Sequence, residues 1–302
     1  MSWLAFAFSG PVLWAISTHL DKYLVEQYFK HADVAVLLVF TAWIGVLTLP
    51  FIAFYDPDFA TPQADSIALI MCSGILYMGA LLLYLRALQT EEASVVAPFF
   101  QAAPLFGYVL AYLTLGETLS ARQMTGGAMI VAGTLIVSVR FGQNVRALKL
   151  RLTALMLACG FALALSGLIF KVFAIQVEFW TTTFWLFVGE AVFGAALLMV
   201  GSYRRQFVAV LRANTAALLT ISGANELINL GGGLGSRYAL LLAPLSIVQA
   251  IGSTTTLFVF AFGVGLSVMF PRLARETLSL RELAQKGAAA LLVAVGVALV
   301  AR

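Results

Sequence analysis

The stretch ALQTEEASVVAPFFQAAPLFGYVLAYLTLGETLSARQMTGGAMIVAGTLIV, from Ala87 to Val137, decides how this chain is read. Two apolar runs, 93–115 and 123–141, flank the polar corner Gly116-Glu117-Thr118-Leu119-Ser120-Ala121-Arg122. Each run has the length of a membrane-crossing helix, which needs about 20 apolar residues. The corner leaves room only for a tight turn, so the two helices are expected to be antiparallel neighbours. The phrase returns as Glu276-Thr277-Leu278-Ser279, again just before a final apolar run, 286–301. One motif is used twice.

Composition agrees with this reading. Hydrophobic residues make up 62% of the 302 residues and charged residues 11%, whereas a soluble domain carries roughly 25% charged residues. So much apolar surface requires lipid as its solvent. Backbone in lipid must satisfy its own hydrogen bonds, which leaves helices or a closed barrel. The apolar runs are continuous rather than alternating, and this favours helices. The net charge of +4 does not signal nucleic acid. No basic run is dense enough, and the charges sit between spans, where anionic headgroups account for them. Cys72 and Cys159 lie inside apolar runs, with no metal-ligand spacing and no disulfide framework. The N-terminal MSWLAFAFSGPVLWAIS lacks the basic region of a cleaved signal peptide and reads as the first span.

The expected fold class is an all-α integral membrane protein with ten spans: 3–22, 34–54, 66–88, 93–115, 123–141, 152–173, 180–201, 214–238, 243–270 and 284–301. Short connections leave no room for a soluble domain. Two of them, 203–213 and 271–285, mix Arg with apolar residues at helical spacing, as helices lying on a membrane surface do; a solvated loop is the plainer alternative. The halves 1–147 and 148–302 overlay in order. Ala15-Ile16-Ser17 through Lys22 matches Ala164-Leu165-Ser166 through Lys171, Ser73-Gly74 matches Ser222-Gly223, and Ala87-Leu88 matches Ala239-Leu240. Five spans per half is an odd number, so the second half enters the membrane from the opposite side. Such inverted repeats build secondary transporters with a solute site between the repeats.

The fourth and fifth spans resemble the EamA domain of the drug/metabolite transporter superfamily. The matching residues are Ala87, Ala93, Pro98, Pro104, Gly116-Glu117-Thr118-Leu119, Gln123, Gly126 and Gly133, with Trp14 and Lys22 in the first span. The resemblance implies ten helices in two five-helix halves, a central cavity, and alternating access without ATP. It does not imply one substrate, because members move amino acids, sugars, nucleotide sugars, drugs and polyamines. The second half departs from the pattern. Arg275 stands where a Gly would precede Glu276, and Thr254-Thr255-Thr256 occupies the region of Pro104.

Charge bias speaks to orientation. The odd-numbered connections and adjacent helix ends hold all but four of the 18 Lys and Arg residues; the four are Arg122, Lys171, Arg237 and Arg302. By the positive-inside rule both termini would be outside, whereas the resemblance implies both inside.

Ionisable residues within a span usually face a cavity or a partner. Glu190 sits in the middle of the seventh span with apolar flanks. It reads as a proton carrier or binder of a cationic group, or else as a helix–helix hydrogen bond. Glu226 lies midway along the eighth span, between Asn225 and Asn229 on one face, before the run Gly231–Gly233 and Gly235. That run suggests an unwound helix at a solute site, or a small-residue packing face. Gln101, between Pro98 and Pro104, and Gln249 in the ninth span are cavity candidates of the same kind. His19, Asp21 and Lys22 cluster late in the first span, and Lys171 holds the repeat-equivalent place of Lys22. They read as gating or coupling groups, such as Asp21 facing a basic residue, or as headgroup anchors. Trp14, Trp43, Tyr77, Tyr84, Tyr108 and Trp185 are candidates for an aromatic lining. Glu117 and Glu276 read as caps for the helices that follow them, and Arg86 and Arg237 as anchors at helix ends or as binders of a carboxylate. Residues with a catalytic pattern are not visible: there is no P-loop, G-x-S-x-G, H-E-x-x-H or Cys/His cluster, so neither a metal nor a cofactor is called for.

The favoured function is secondary transport of a small organic solute, as an exporter of amino acids or related metabolites with proton coupling, in a bacterial inner membrane. The alternative is a lipid-handling or scaffold protein without a solute pathway. Two halves in one chain permit a working monomer and leave a dimer open.

Overall fold

A computed structural model describes residues 2–27, 32–90, 102–138, 150–213, 215–269 and 280–301. These residues are helical apart from short connections. The helices are α1 (Ser2–Gln27), α2 (Val34–Tyr55), α3 (Ala64–Thr90), α4 (Ala102–Leu115), α5 (Ala121–Ser138) and α6 (Leu150–Gln176). They continue as α7 (Phe179–Met199), α8 (Gly201–Ala213), α9 (Thr215–Leu242), α10 (Leu245–Gly252), α11 (Thr255–Met269) and α12 (Leu280–Val300), with one 3₁₀ turn at Pro57–Ala60. Among the described residues, six segments are long and apolar enough to cross a membrane: within α1, α2, α3, α6 and α7, and across α10–α11. The outer surface is apolar as well. Phe51 and Phe54 of α2 are 76% and 90% exposed, a surface suited to hydrocarbon and not to water.

Local chemistry sets the helix ends. Asp33 accepts from Ala35 N at 2.9 Å and starts α2. Glu178 accepts from Trp180 N and Thr181 N and starts α7. Ser120 and Gln123 form a reciprocal capping box at α5, at 3.0 and 3.2 Å. Gly116, at φ +63°, turns the chain after α4 at an angle that costs a side-chain-bearing residue energy.

Packing then fixes the order of the helices. α1 lies along α9, α3 lies along both α6 and α7, α2 lies on α7, and α5 lies on α12. The helices approach closely where side chains are smallest. A methyl at Gly74 of α3 would lie 2.2 Å from Leu186 O, and one at Gly189 of α7 would lie 2.1 Å from Met71 O. The two backbones touch there, as small-residue interfaces allow.

Three expectations are corrected. The ninth span is not one helix: α10 ends at Gly252 and α11 begins at Thr255. Ser253, Thr254 and Thr255 hydroxyls donate to the carbonyls of Ala250, Ile251 and Gly252 at 2.6–2.7 Å, local bonds that compete with the helical ladder. The glycine run does not unwind: α9 continues through Gly231–Gly235, and it serves as the packing face, with Gly231 and Gly232 admitting Leu13 and Trp14 of α1 and Gly235 admitting Ser9. Glu117 does not cap the helix that follows it. It accepts from Leu245 N at 3.0 Å and so caps α10, and it pairs with buried Lys171 of α6. Lys171 also donates to Ala243 O at 2.7 Å. This latch joins α6, the α4–α5 corner and the α9–α10 corner. Of the two surface connections, 203–213 is helical as α8, while 271–279 lies outside the described residues, as do Gln101 and Glu276.

Two outcomes are expected in detergent. Gly189→Ala lowers the unfolding midpoint by the equivalent of about 1–3 kcal/mol through overpacking, while Gly223→Ala, with nothing within 4 Å of the added methyl, leaves it unchanged. Lys171→Met costs about 3 kcal/mol by leaving Glu117 unpaired. Adding Glu117→Gln recovers part of that loss in a double-mutant cycle of chemical unfolding.

Candidate functional site

Two polar clusters lie among α1, α2, α3, α6, α7 and α9. In the first, Arg237 Nη2 of α9 donates to Glu190 Oε1 of α7 at 2.8 Å. Both side chains are almost fully covered, at 14% and 6% exposure. The guanidinium also lies over three rings: Phe187 at 5.3 Å, Tyr77 at 5.5 Å and Phe170 at 6.0 Å. These faces attract a cation, and in an apolar setting that attraction is stronger than at a surface. The Gly74–Gly189 contact places this pair, since Glu190 is the next residue along α7.

In the second cluster, Glu226 Oε1 of α9 accepts from Thr41 Oγ1 of α2 at 2.7 Å, and Glu226 Oε2 accepts from Asn229 Nδ2 at 3.3 Å. Asn225 Nδ2 donates to Asp21 Oδ1 of α1 at 2.7 Å. Ser17 Oγ donates to the other oxygen of Asp21 at 3.5 Å. Asn225 is fully buried, yet its Oδ1 has no partner among the described residues, and neither has Ser222 Oγ one turn earlier. An unsatisfied buried amide oxygen costs about 1–3 kcal/mol.

Glu226, Asn225, Asn229 and Asp21 are therefore brought together in the second cluster, and Glu190 meets Arg237 in the first. Asp21 takes an amide rather than a cation as its partner. The other candidates lie elsewhere. Gln249 of α10 sits between Gly107 of α4 and Gly167 of α6, with its Oε1 unpartnered. His19 Nε2 is 3.1 Å from Val259 O of α11. Lys171 belongs to the latch. Lys22 is a residue of α1 whose side chain lies outside the described residues. The aromatic candidates scatter, and among them Tyr77 alone faces Arg237. Trp14 packs over Gly232, Tyr84 lies with Met156 and Cys159 of α6, and Trp185 Nε1 donates to Phe59 O at 2.7 Å.

Sequence reasoning missed Arg237 as the partner of Glu190. It set the end of the eighth span at 238, which made Arg237 an end anchor. α9 runs to Leu242, and the extra turn carries Arg237 inward. Thr41 and Ser17 carried no signal, since hydroxyls are common in spans.

The comparisons agree with the fold. A solved crystal structure of another protein superimposes with a TM-score of 0.69 over 99% of this chain and 96% of its own, at 16% identity. An uncharacterized protein of Methanocaldococcus jannaschii is 32% identical over 94 residues, which cover 31% of this chain and 68% of that protein. The model of the EamA-like transporter family matches residues 1–139, the half that contains Asp21 and Thr41 and the Gly116-Glu117-Thr118-Leu119 corner. The chain belongs to the EamA-like transporter family.

Proposed function

We propose that this protein is a secondary active transporter that exports small zwitterionic metabolites, amino acids among them, from a bacterial cell. The observation that carries the reading is the buried Glu190–Arg237 pair, a carboxylate and a guanidinium held together in an apolar interior. A zwitterion is the complement of that pair. Its ammonium replaces the guanidinium on Glu190, and its carboxylate replaces the glutamate on Arg237, where a planar guanidinium binds with two donors. Exchange of one ion pair for two avoids leaving either charge bare in a low-dielectric site. A carboxylate that loses its partner during the cycle is neutralised by a proton, which couples flux to the proton gradient.

The proposed architecture is ten spans in two inverted halves, 1–147 and 148–302. Exchanging the halves maps α1 onto α6, α2 onto α7, α3 onto α9, α4 onto α10–α11 and α5 onto α12. The packing respects this exchange. α1 on α9 mirrors α6 on α3, and α4 on α6 mirrors α10–α11 on α1. The contacts α2–α7 and α5–α12 map onto themselves. Rocking of one half against the other opens the site to each side in turn, with the Lys171–Glu117 latch released on one of them.

The near-complete burial of Glu190, Asn225 and Glu226 also favours a second reading, a packed scaffold without a solute pathway. Cysteine labelling separates the two. With Cys72 and Cys159 replaced by Ala, Asn229→Cys reacts with a water-soluble maleimide in a transporter and stays silent in a scaffold.

Transport is tested in proteoliposomes with a labelled amino-acid mixture, with and without a pH gradient. Wild type is expected to show gradient-dependent flux. Glu190→Gln and Arg237→Gln are each expected to lower it by about 30-fold or more, the effect of stripping one partner from a buried charge pair. Flux untouched by both substitutions would remove the pair from the site, and no flux of any metabolite by folded protein would favour the scaffold.

A further inference from the structure

We infer that the outer face of α8 is a binding site for anionic phospholipid headgroups. The inference is independent of the solute and of the direction of flux. α8 is a two-faced helix. Tyr203, Phe207, Val210 and Leu211 pack inward on the apolar clusters of α2 and its neighbours. Arg204, Arg205 and Arg212 face outward with Val208 and Ala209, and together they line a shallow depression of ≈ 360 Å³. The spacing makes two stripes, Arg204–Val208–Arg212 and Arg205–Ala209, each at four-residue steps along one helix face.

Three further features point to a lipid. The first is depth: Met199 and Val200, at the end of apolar α7, are 83% and 45% exposed, so α8 starts where a hydrocarbon-facing surface stops. The second is rigidity. Gln206 Oε1 accepts from Asp33 N at 2.7 Å, and Arg86 Nη2 of α3 donates to Tyr203 Oη at 2.8 Å, so α8 is clamped to α2 and α3 with its arginines presented outward. The third is charge. Among the described residues, no carboxylate pairs with Arg204, Arg205 or Arg212. Three guanidiniums interleaved with small apolar side chains match a phosphate headgroup above its glycerol and first methylenes.

The test uses the full-length protein in nanodiscs of mixed phosphatidylglycerol and phosphatidylcholine, with the lipids retained on the purified protein counted by native mass spectrometry. Wild type is expected to retain phosphatidylglycerol in preference to phosphatidylcholine. At roughly fivefold per arginine near a surface, the triple substitution Arg204→Gln, Arg205→Gln, Arg212→Gln lowers that preference by about a hundredfold, and the triple lysine variant keeps most of it. Wild type with no preference would overturn the inference without reference to any variant. So would a preference that survives in a folded triple glutamine variant, or one abolished by 10 mM inorganic phosphate, which would mark a small-anion site.

Discussion

A guanidinium in an apolar interior must have a counter-charge, and Glu190 supplies one to Arg237 at 2.8 Å. Much of the central packing serves that contact. α7 brings Glu190 into place only because Gly74 and Gly189 let its backbone lie against α3. α9 brings Arg237 only because its glycine run lets it lie flush on α1. The rings of Tyr77, Phe170 and Phe187 then enclose the cation. Such a pair contributes little net stability, because the attraction is offset by the loss of water from both ions. Retention of the pair is what the proposed role in solute binding requires.

The same logic appears at the latch. Lys171, Glu117 and the backbone of Ala243 and Leu245 form a closed set of donors and acceptors across three segments distant in sequence. The carboxylate sits at the N-terminus of α10, where the helix dipole favours negative charge. Such a set is well matched when made and costly when half broken. In a protein proposed to rock between two states, that is the property of a gate.

The apolar stretch of α10 and α11 is interrupted, and the glycine-rich α9 is not. Glycine in a helix lowers the cost of unwinding but does not require it. When a neighbour packs into the space a side chain would fill, the helix is held. Three consecutive hydroxyls that turn back onto carbonyls act differently, because they offer the backbone an alternative to its ladder at the end of α10.

The sequence by itself determined the helical class, the positions of most spans, the tight corner at Gly116 and the family. These rest on local terms: run length, composition, and the conformational demands of single residues. It also pointed to Glu190, Glu226, Asn225 and Asn229, because a charged or amide side chain in an apolar run is conspicuous wherever it lies. Only the tertiary structure decided who meets whom. Arg237 as the partner of Glu190, Asn225 as the partner of Asp21, and Lys171 as the partner of Glu117 join residues between 47 and 204 positions apart. No periodicity encodes such distances. They follow from which helix faces are small enough to touch, and that is a property of the packed chain.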